Sequence, residues 1–124
     1  MPAPVRETLS KRERLCGKKD IEELFSKGRF GVSGCFKYCV RRDNGQDVHR
    51  IMISVSKKLF RRAVRRNLLK RRIRESYRRL KHTLPEGGGL DILFIYNTKE
   101  ILPYSEIFGC VGNILRKTGN GDKR

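Results

Sequence analysis

Cationic side chains at helical spacing are the groups in this chain best suited to chemistry, and the chemistry they suit is phosphate binding. From Lys57 to Lys81 the chain reads KKLFRRAVRRNLLKRRIRESYRRLK, in which thirteen of twenty-five residues are Lys or Arg and only Glu75 is acidic. An Arg guanidinium forks onto two phosphate oxygens and a Lys ammonium supplies a compact charge, so a row of them matches successive phosphates of a polyanion. Basic faces are often merely solvated, but this density argues for a partner. Groups that make or break bonds are not assembled in the pattern. No carboxylates cluster to hold a metal, no His pair is set for acid–base work, and no nucleophile has an adjacent base. His49 and His82 stand apart and are expected at the surface. Cys16, Cys35, Cys39 and Cys110 contain no CxxC pair, so no zinc site is expected. Cys35 and Cys39 along one strand lie further apart than a disulfide reaches. Four reduced thiols are expected, which fits a cytoplasmic protein.

The whole chain carries the same bias. Its 124 residues, 37% apolar and 35% charged, fit one domain able to bury a core without staples. A net charge of +17 and a pI near 10.4 would make the fold repel itself, so a polyanion is implied: nucleic acid first, an anionic membrane surface second. The opening residues MPAPVRETLSKRERL hold no apolar signal core, and no apolar run reaches the roughly 20 residues that span a bilayer.

Periodicity then places the elements that must hold those cations. Residues 1–13 are expected as a mobile arm, 14–117 as one RNA-binding domain and 118–124 as a disordered tail. Ile21, Leu24 and Phe25 sit at helical spacing, with Asp20 as a cap or in the first turn and Gly28 as a stop. Residues 34–41 alternate, with Phe36, Tyr38 and Val40 on one side and Cys35, Lys37 and Cys39 on the other. Residues 48–56 alternate again around Ile51, Ile53 and Val55. Asn44-Gly45 between them predicts a tight turn, hence an antiparallel pair joined at 42–47. A further short strand is possible at 30–32. In the basic stretch, Ile73, Tyr77, Leu80 and Leu84 fall within about 80° of Leu69 on a helical wheel. Asn67, Arg71, Arg74 and Arg78 lie about 140–200° from Leu69, with Lys70 on the flank. The helix thus buries one stripe and presents a polar ridge. Arg62 and Arg66 project backward onto the apolar side, so the helix is expected to start or bend near them. TLPEGGG at 83–89 breaks it, residues 91–96 read as a buried strand, and Leu102-Pro103 opens a last helix. Gly109 and Gly112 in that helix are expected to pack closely on the sheet. The result is an α+β two-layer sandwich, a small mixed sheet with helices on it, in the order α-β-β-(β)-α-β-α.

Zinc-finger, zipper and helix-turn-helix patterns are not evident, which turns the reading from DNA toward RNA. Phe36 and Tyr38 either stack on unpaired bases or pack in the core, and periodicity alone favours the core. SVSKK at 54–58, followed by Ala63-Val64, Arg66-Asn67, Lys70-Arg71 and Ile73-Arg74-Glu75-Ser76, resembles the signature of the bacterial ribonuclease P protein family. RLCGKKDIEELFSKG and LDILFIYN resemble that family's opening helix and the strand after its basic helix. The resemblance runs from about Arg14 to Lys117. Leu68 stands where the family usually has the second Arg of Arg-Asn-Arg, Ile21 and Cys39 stand where aromatics are common, and Asn97 where a basic residue is frequent.

The resemblance implies a left-handed βαβ crossover, as in a ribosomal-protein domain fold. It implies a protein subunit of the ribonucleoprotein that removes the 5′ leader of precursor tRNA, with catalysis by the RNA subunit and Mg2+ held mainly by that RNA. Catalytic and metal-ligating residues are expected to be none. The partners implied are the catalytic RNA and precursor tRNA, with no membrane and no protein partner. RNA contacts are assigned to Lys57, Lys58, Arg62, Arg66, Asn67, Lys70, Arg71, Arg74 and Arg78. A leader-binding cleft is assigned to Phe25, Phe36 and Tyr38. The rival classes are a ribosomal-type or RNA-chaperone protein with no role in cleavage, a nuclease that works alone, and a membrane-surface binder.

Overall fold

The computed structural model describes residues 11–84 and 89–119. Its elements are α1 (Lys18–Lys27), β1 (Arg29–Ser33), β2 (Phe36–Arg42), β3 (Arg50–Val55), α2 (Ala63–Leu80), β4 (Leu90–Tyr96) and α3 (Tyr104–Gly119). Short 3-10 turns lie at Lys11–Glu13 and Lys81–Thr83. The four strands stand in the order β1-β2-β4-β3. β2 runs antiparallel to β1 and β4, while β3 and β4 are parallel and joined through α2. The architecture is therefore α+β with a mixed sheet, and β1 is the short strand foreseen near residue 30.

One pairing differs from expectation: β2 and β3 do not form a hairpin, because β4 lies between them. The turn itself exists, with Asp43 at φ +58° and Gly45 at φ +79°. It closes on β4 rather than on a neighbouring strand. Asn44 is buried, takes Gly89 as backbone acceptor at 3.0 Å, and donates from Nδ2 to Asp91 Oδ1 at 2.7 Å. Its own Oδ1 accepts from the Gln46 N–H at 2.8 Å, an Asx turn that shapes the loop.

Asp91 explains why β4 belongs in the middle. It stands opposite Arg41 of β2 on one side and Arg50 of β3 on the other. Its carboxylate is fully buried and receives both prongs of Arg50, Nε and Nη2, each at 2.9 Å. Arg41 lies 3.7 Å away. Arg50 reaches on to Asp20 in the first turn of α1 at 3.2 Å, so one guanidinium ties helix to sheet. The hydrogen bonds to Asp91 push the Arg50 pKa up, against the desolvation that would lower it, so the cation persists at any working pH.

Alternation divides the rest. Phe36, Val40, Ile51, Val55, Ile92, Phe94 and Tyr96 face α2 and α3 and form the main core with Leu69, Ile73, Tyr77, Ile107, Val111 and Ile114. Cys39 and Leu93 face the other way and pack with Leu15 and Leu24 beneath α1. Gly28 ends α1 where space is shortest: a Cβ there would meet the Leu24 carbonyl oxygen at 2.5 Å and Cys39 Sγ at 2.4 Å. The glycines of α3 do not touch the sheet. Gly109 faces open space, and a Cβ on Gly112 would make an ordinary 3.6 Å contact with Leu80 of α2.

The expected arm is shorter than foreseen. Residues 11–13 are folded: Glu13 pairs with Lys81 at 2.8 Å and Arg12 pairs with Asp47. Just after them, Leu15 donates its N–H to Ile51 at 2.8 Å and Arg14 bridges β3 in parallel. Residues 1–10 lie outside the described residues. At the other end Thr118 is buried in the last turn of α3, donating to the Ile114 carbonyl at 2.8 Å, while its own carbonyl accepts from Arg42 at 3.0 Å. Residues 120–124 of the expected tail lie outside the described residues. No helix among the described residues is long and apolar enough to cross a membrane.

Replacing Asp91 with Ala strands a buried guanidinium. The expected cost is about 3–5 kcal/mol, read as a lower urea midpoint. An unchanged midpoint would contradict the clamp.

Candidate nucleic-acid interface

The basic helix begins one residue after Arg62, whose carbonyl accepts the first helical bonds from Arg65 and Arg66 at 3.1 and 3.3 Å. Before it, Phe60 is buried with its ring 5.9 Å from that of Tyr96, and its N–H bonds Ser56 at 3.0 Å. Ser56 Oγ also accepts the Lys58 N–H at 3.0 Å. This anchored turn holds Lys57 and Lys58 out in solvent, where Arg61, Arg62 and Arg65 are also exposed. The unsatisfied N–H groups and positive dipole end of α2 point into the same region, which adds to its attraction for phosphate.

Along α2 the wheel holds. Leu69, Ile73, Ser76 and Tyr77 are buried, and burial pushes the Tyr77 hydroxyl pKa well up. Asn67 and Arg71 are exposed, while Lys70, Arg74 and Arg78 are half-buried at their stems. Arg78 bonds Glu75 through Nε at 2.7 Å, so its charge is partly balanced on its own helix. Arg66 follows the wheel rather than the ridge. It is half-buried and donates from Nη1 to the Phe60 and Arg61 carbonyls at 2.8 and 2.9 Å, closing the entry to the helix. Arg72 likewise donates to the Leu102 carbonyl and fastens α2 to the segment leading into α3. Arg66 and Arg72 therefore serve the fold, as does Lys81 through its pairing with Glu13.

The cleft residues need correction. Phe36 is 0% exposed and packs edge-on to Phe94 and Tyr96, with centroids 5.8 Å away in each case. Tyr38 lies on the same face, opposite Phe94, with its ring against Gly31. Both point toward α3 and away from α1, because α1 covers the face that carries Cys39. Phe25 does stand on the α1 side, 48% exposed. Its ring stacks on Phe30 of β1, 50% exposed, with centroids 6.1 Å apart and planes 28° from parallel. Phe30 was not singled out from sequence. The signal for it is cross-strand: it stands opposite Cys39, so an aromatic on β1 occupies the face where β2 has a thiol. Exposed Val32, opposite exposed Lys37, extends the surface. The expectation for the histidines also divides. His82 is exposed, whereas His49 is half-buried and accepts the Leu90 N–H on Nδ1 at 3.2 Å.

Two binding surfaces result: a cationic helix face with the turn before it, and an aromatic patch between α1 and the free side of β1 and β2. Among the described residues, no group of three or more His, Cys, Asp or Glu could hold a metal ion.

A family model described as Ribonuclease P matches residues 9–119. The ribonuclease P protein component of Thermotoga maritima is 39% identical over 93 residues, covering 75% of this chain and 76% of the relative. That of Porphyromonas gingivalis is 38% identical over 86 residues, covering 68% of this chain but only 63% of the relative's own length. Among solved structures, the RNase P protein from Thermotoga maritima superposes with a TM-score of 0.73 at 32% identity, covering 86% of this chain and 97% of that one. The RNase P protein of Staphylococcus aureus gives 0.73 at 27% identity, covering 86% and 94%.

The two aromatic sets separate by stability. Phe36→Ala should cost about 3–5 kcal/mol through its cavity. Phe25→Ala with Phe30→Ala should stay within about 1 kcal/mol, since both rings are half in water. Equal losses in urea denaturation would show that the burial assignment is wrong.

Proposed function

Because this chain belongs to the ribonuclease P protein family, we propose that it is the protein subunit of a ribonucleoprotein that removes the 5′ leader from precursor tRNA, working in the cytoplasm. The observation that carries the proposal is α2, which buries one stripe in the core and turns Asn67, Lys70, Arg71 and Arg74 outward as a row. Those residues, with Lys57, Lys58 and Arg62, bind the backbone of the catalytic RNA. Arg78 joins them with its charge offset by Glu75, and Arg66 contributes mainly by setting the angle at which α2 leaves the turn. Leu68 is half-buried, so its departure from the family's Arg removes one cation beside the ridge while leaving the ridge residues in place.

The second surface takes the substrate. Phe25 and Phe30 offer half-exposed ring faces on which unpaired leader bases stack, and Lys37 stands beside them for the backbone. Holding catalytic RNA on α2 and leader on the α1 face makes one protein a bridge, and the scissile phosphodiester is positioned by what is bound on either side of it. The cleavage itself belongs to the RNA subunit, and Mg2+ held by that RNA would supply an activated water and charge stabilisation for the leaving oxygen. Neutralising charge along the RNA lowers the magnesium concentration at which the RNA works.

Reconstitution tests this directly. At low magnesium the protein should stimulate cleavage of precursor tRNA by the catalytic RNA and should cleave nothing alone. Cleavage by protein alone, or an RNA-binding protein that gives no stimulation, would each reject the proposal. With about 5 phosphates neutralised, the log–log salt slope of RNA binding should be roughly −3.5 to −4.5. Arg71→Ala with Arg74→Ala should weaken binding and flatten that slope by about 1.4–1.8. A second comparison isolates the aromatic patch. Phe25→Ala with Phe30→Ala should weaken binding of precursor tRNA by about 1–3 kcal/mol per unstacked base and leave binding of mature tRNA unchanged. Equal losses for both RNAs would remove the leader from this site.

A further inference from the structure

Cys35 and Cys110 meet at the end of the sheet opposite Asp91. Cys35 lies in the turn between β1 and β2, and its carbonyl accepts the Asn97 N–H at 2.8 Å, which fixes the turn to the end of β4. Gly34 before it has φ +59°, and a Cβ at Gly34 would come within 2.6 Å of Cys110 Sγ. The Cys110 thiol of α3 is therefore pressed against that turn. Both residues are half-buried where the turn meets α3, and both are free. Burial, and then the neighbouring Cys110 thiol, pushes the Cys35 pKa up to about 12. Neither residue belongs to the cationic ridge or the aromatic patch.

We propose that Cys35 and Cys110 form a redox clip, closing to one intrachain disulfide between the β1–β2 turn and α3 when the protein meets a low-molecular-weight disulfide. Cys110 gives its proton to solvent and attacks first, because burial holds the proton of Cys35. The S–S bond of the small disulfide breaks, one small thiol leaves, and Cys110 carries a mixed disulfide. Cys35 then loses its proton to solvent and attacks the Cys110 sulfur, displacing the second small thiol. Two cysteines are oxidised, one small disulfide is reduced to two thiols, and the two cysteine protons end on those thiols. The second step is the slow one, and it quickens as pH rises toward the Cys35 pKa. The clip joins positions far apart in the chain, so it restricts the unfolded chain strongly.

The reduced full-length chain, incubated with oxidised glutathione under native conditions, then alkylated and digested, gives the test by mass spectrometry. The expected product is a Cys35–Cys110 linked peptide, with an intact mass lower by two hydrogens and reversed by dithiothreitol. Its rate of formation should increase with pH. Cys35→Ser and Cys110→Ser should each yield glutathione adducts only. Exposed Cys16 serves as an internal control for reagent access. The proposal is overturned if native wild-type chain carries glutathione on Cys110 with no Cys35 linkage, if it stays unmodified at both while Cys16 reacts, or if the linkage appears only in urea.

Discussion

The buried carboxylate of Asp91 is the interaction on which the other placements depend. A charge with no solvent exposure survives only if its neighbours replace water, and here Arg50, Arg41 and Asn44 do so. Each partner comes from a different piece of chain: the strand on either side of β4 and the loop beneath it. Through Arg50 and Asp20 the same cluster reaches α1, and α1 sets the position of Phe25. Removing the carboxylate would unfasten the aromatic surface as well as the sheet.

Acidic residues are few in a chain of net charge +17, and their location follows a pattern. Glu13, Asp20, Glu23, Asp47 and Asp91 all pair with Lys or Arg at joints between elements or on α1. Only Glu75 lies on α2. The internal joints are balanced, and the surplus is left on the helix face meant for a polyanion. Arg66 and Arg72 refine this division, since their donors serve backbone carbonyls at the entry to α2 and in the segment leading into α3.

Local periodicity made much of this legible. The stripe of Leu69, Ile73 and Tyr77, the stop at Gly28, and the two faces of β2 can all be read without coordinates. Arg62 and Arg66 on the apolar side of the wheel mark a start or a bend, and the helix starts beside Arg62. What could not be read is non-local. Asn44-Gly45 announces a turn but not that the next partner arrives from residue 90 onward. Alternation groups Phe36 with Tyr38 but does not say which face α1 will cover, so it cannot show that Phe36 is buried in the core. Phe30 was overlooked because its meaning depends on lying opposite Cys39 in a neighbouring strand, which no window along the chain contains.

The central position of β4 also bears on the order in which the fold assembles. As the chain leaves the ribosome, α1, β1, β2, β3 and the basic helix are all available before residue 90. The β1–β2 hairpin can pair at once, yet β3 cannot join the sheet until β4 lies between it and β2. Closure is therefore a late, long-range step, of the kind that slows folding and leaves apolar strand faces open in the meantime. During that interval the cations of α2 already confer strong mutual repulsion between nascent chains. The charge suited to a polyanion thus also keeps unfinished molecules apart.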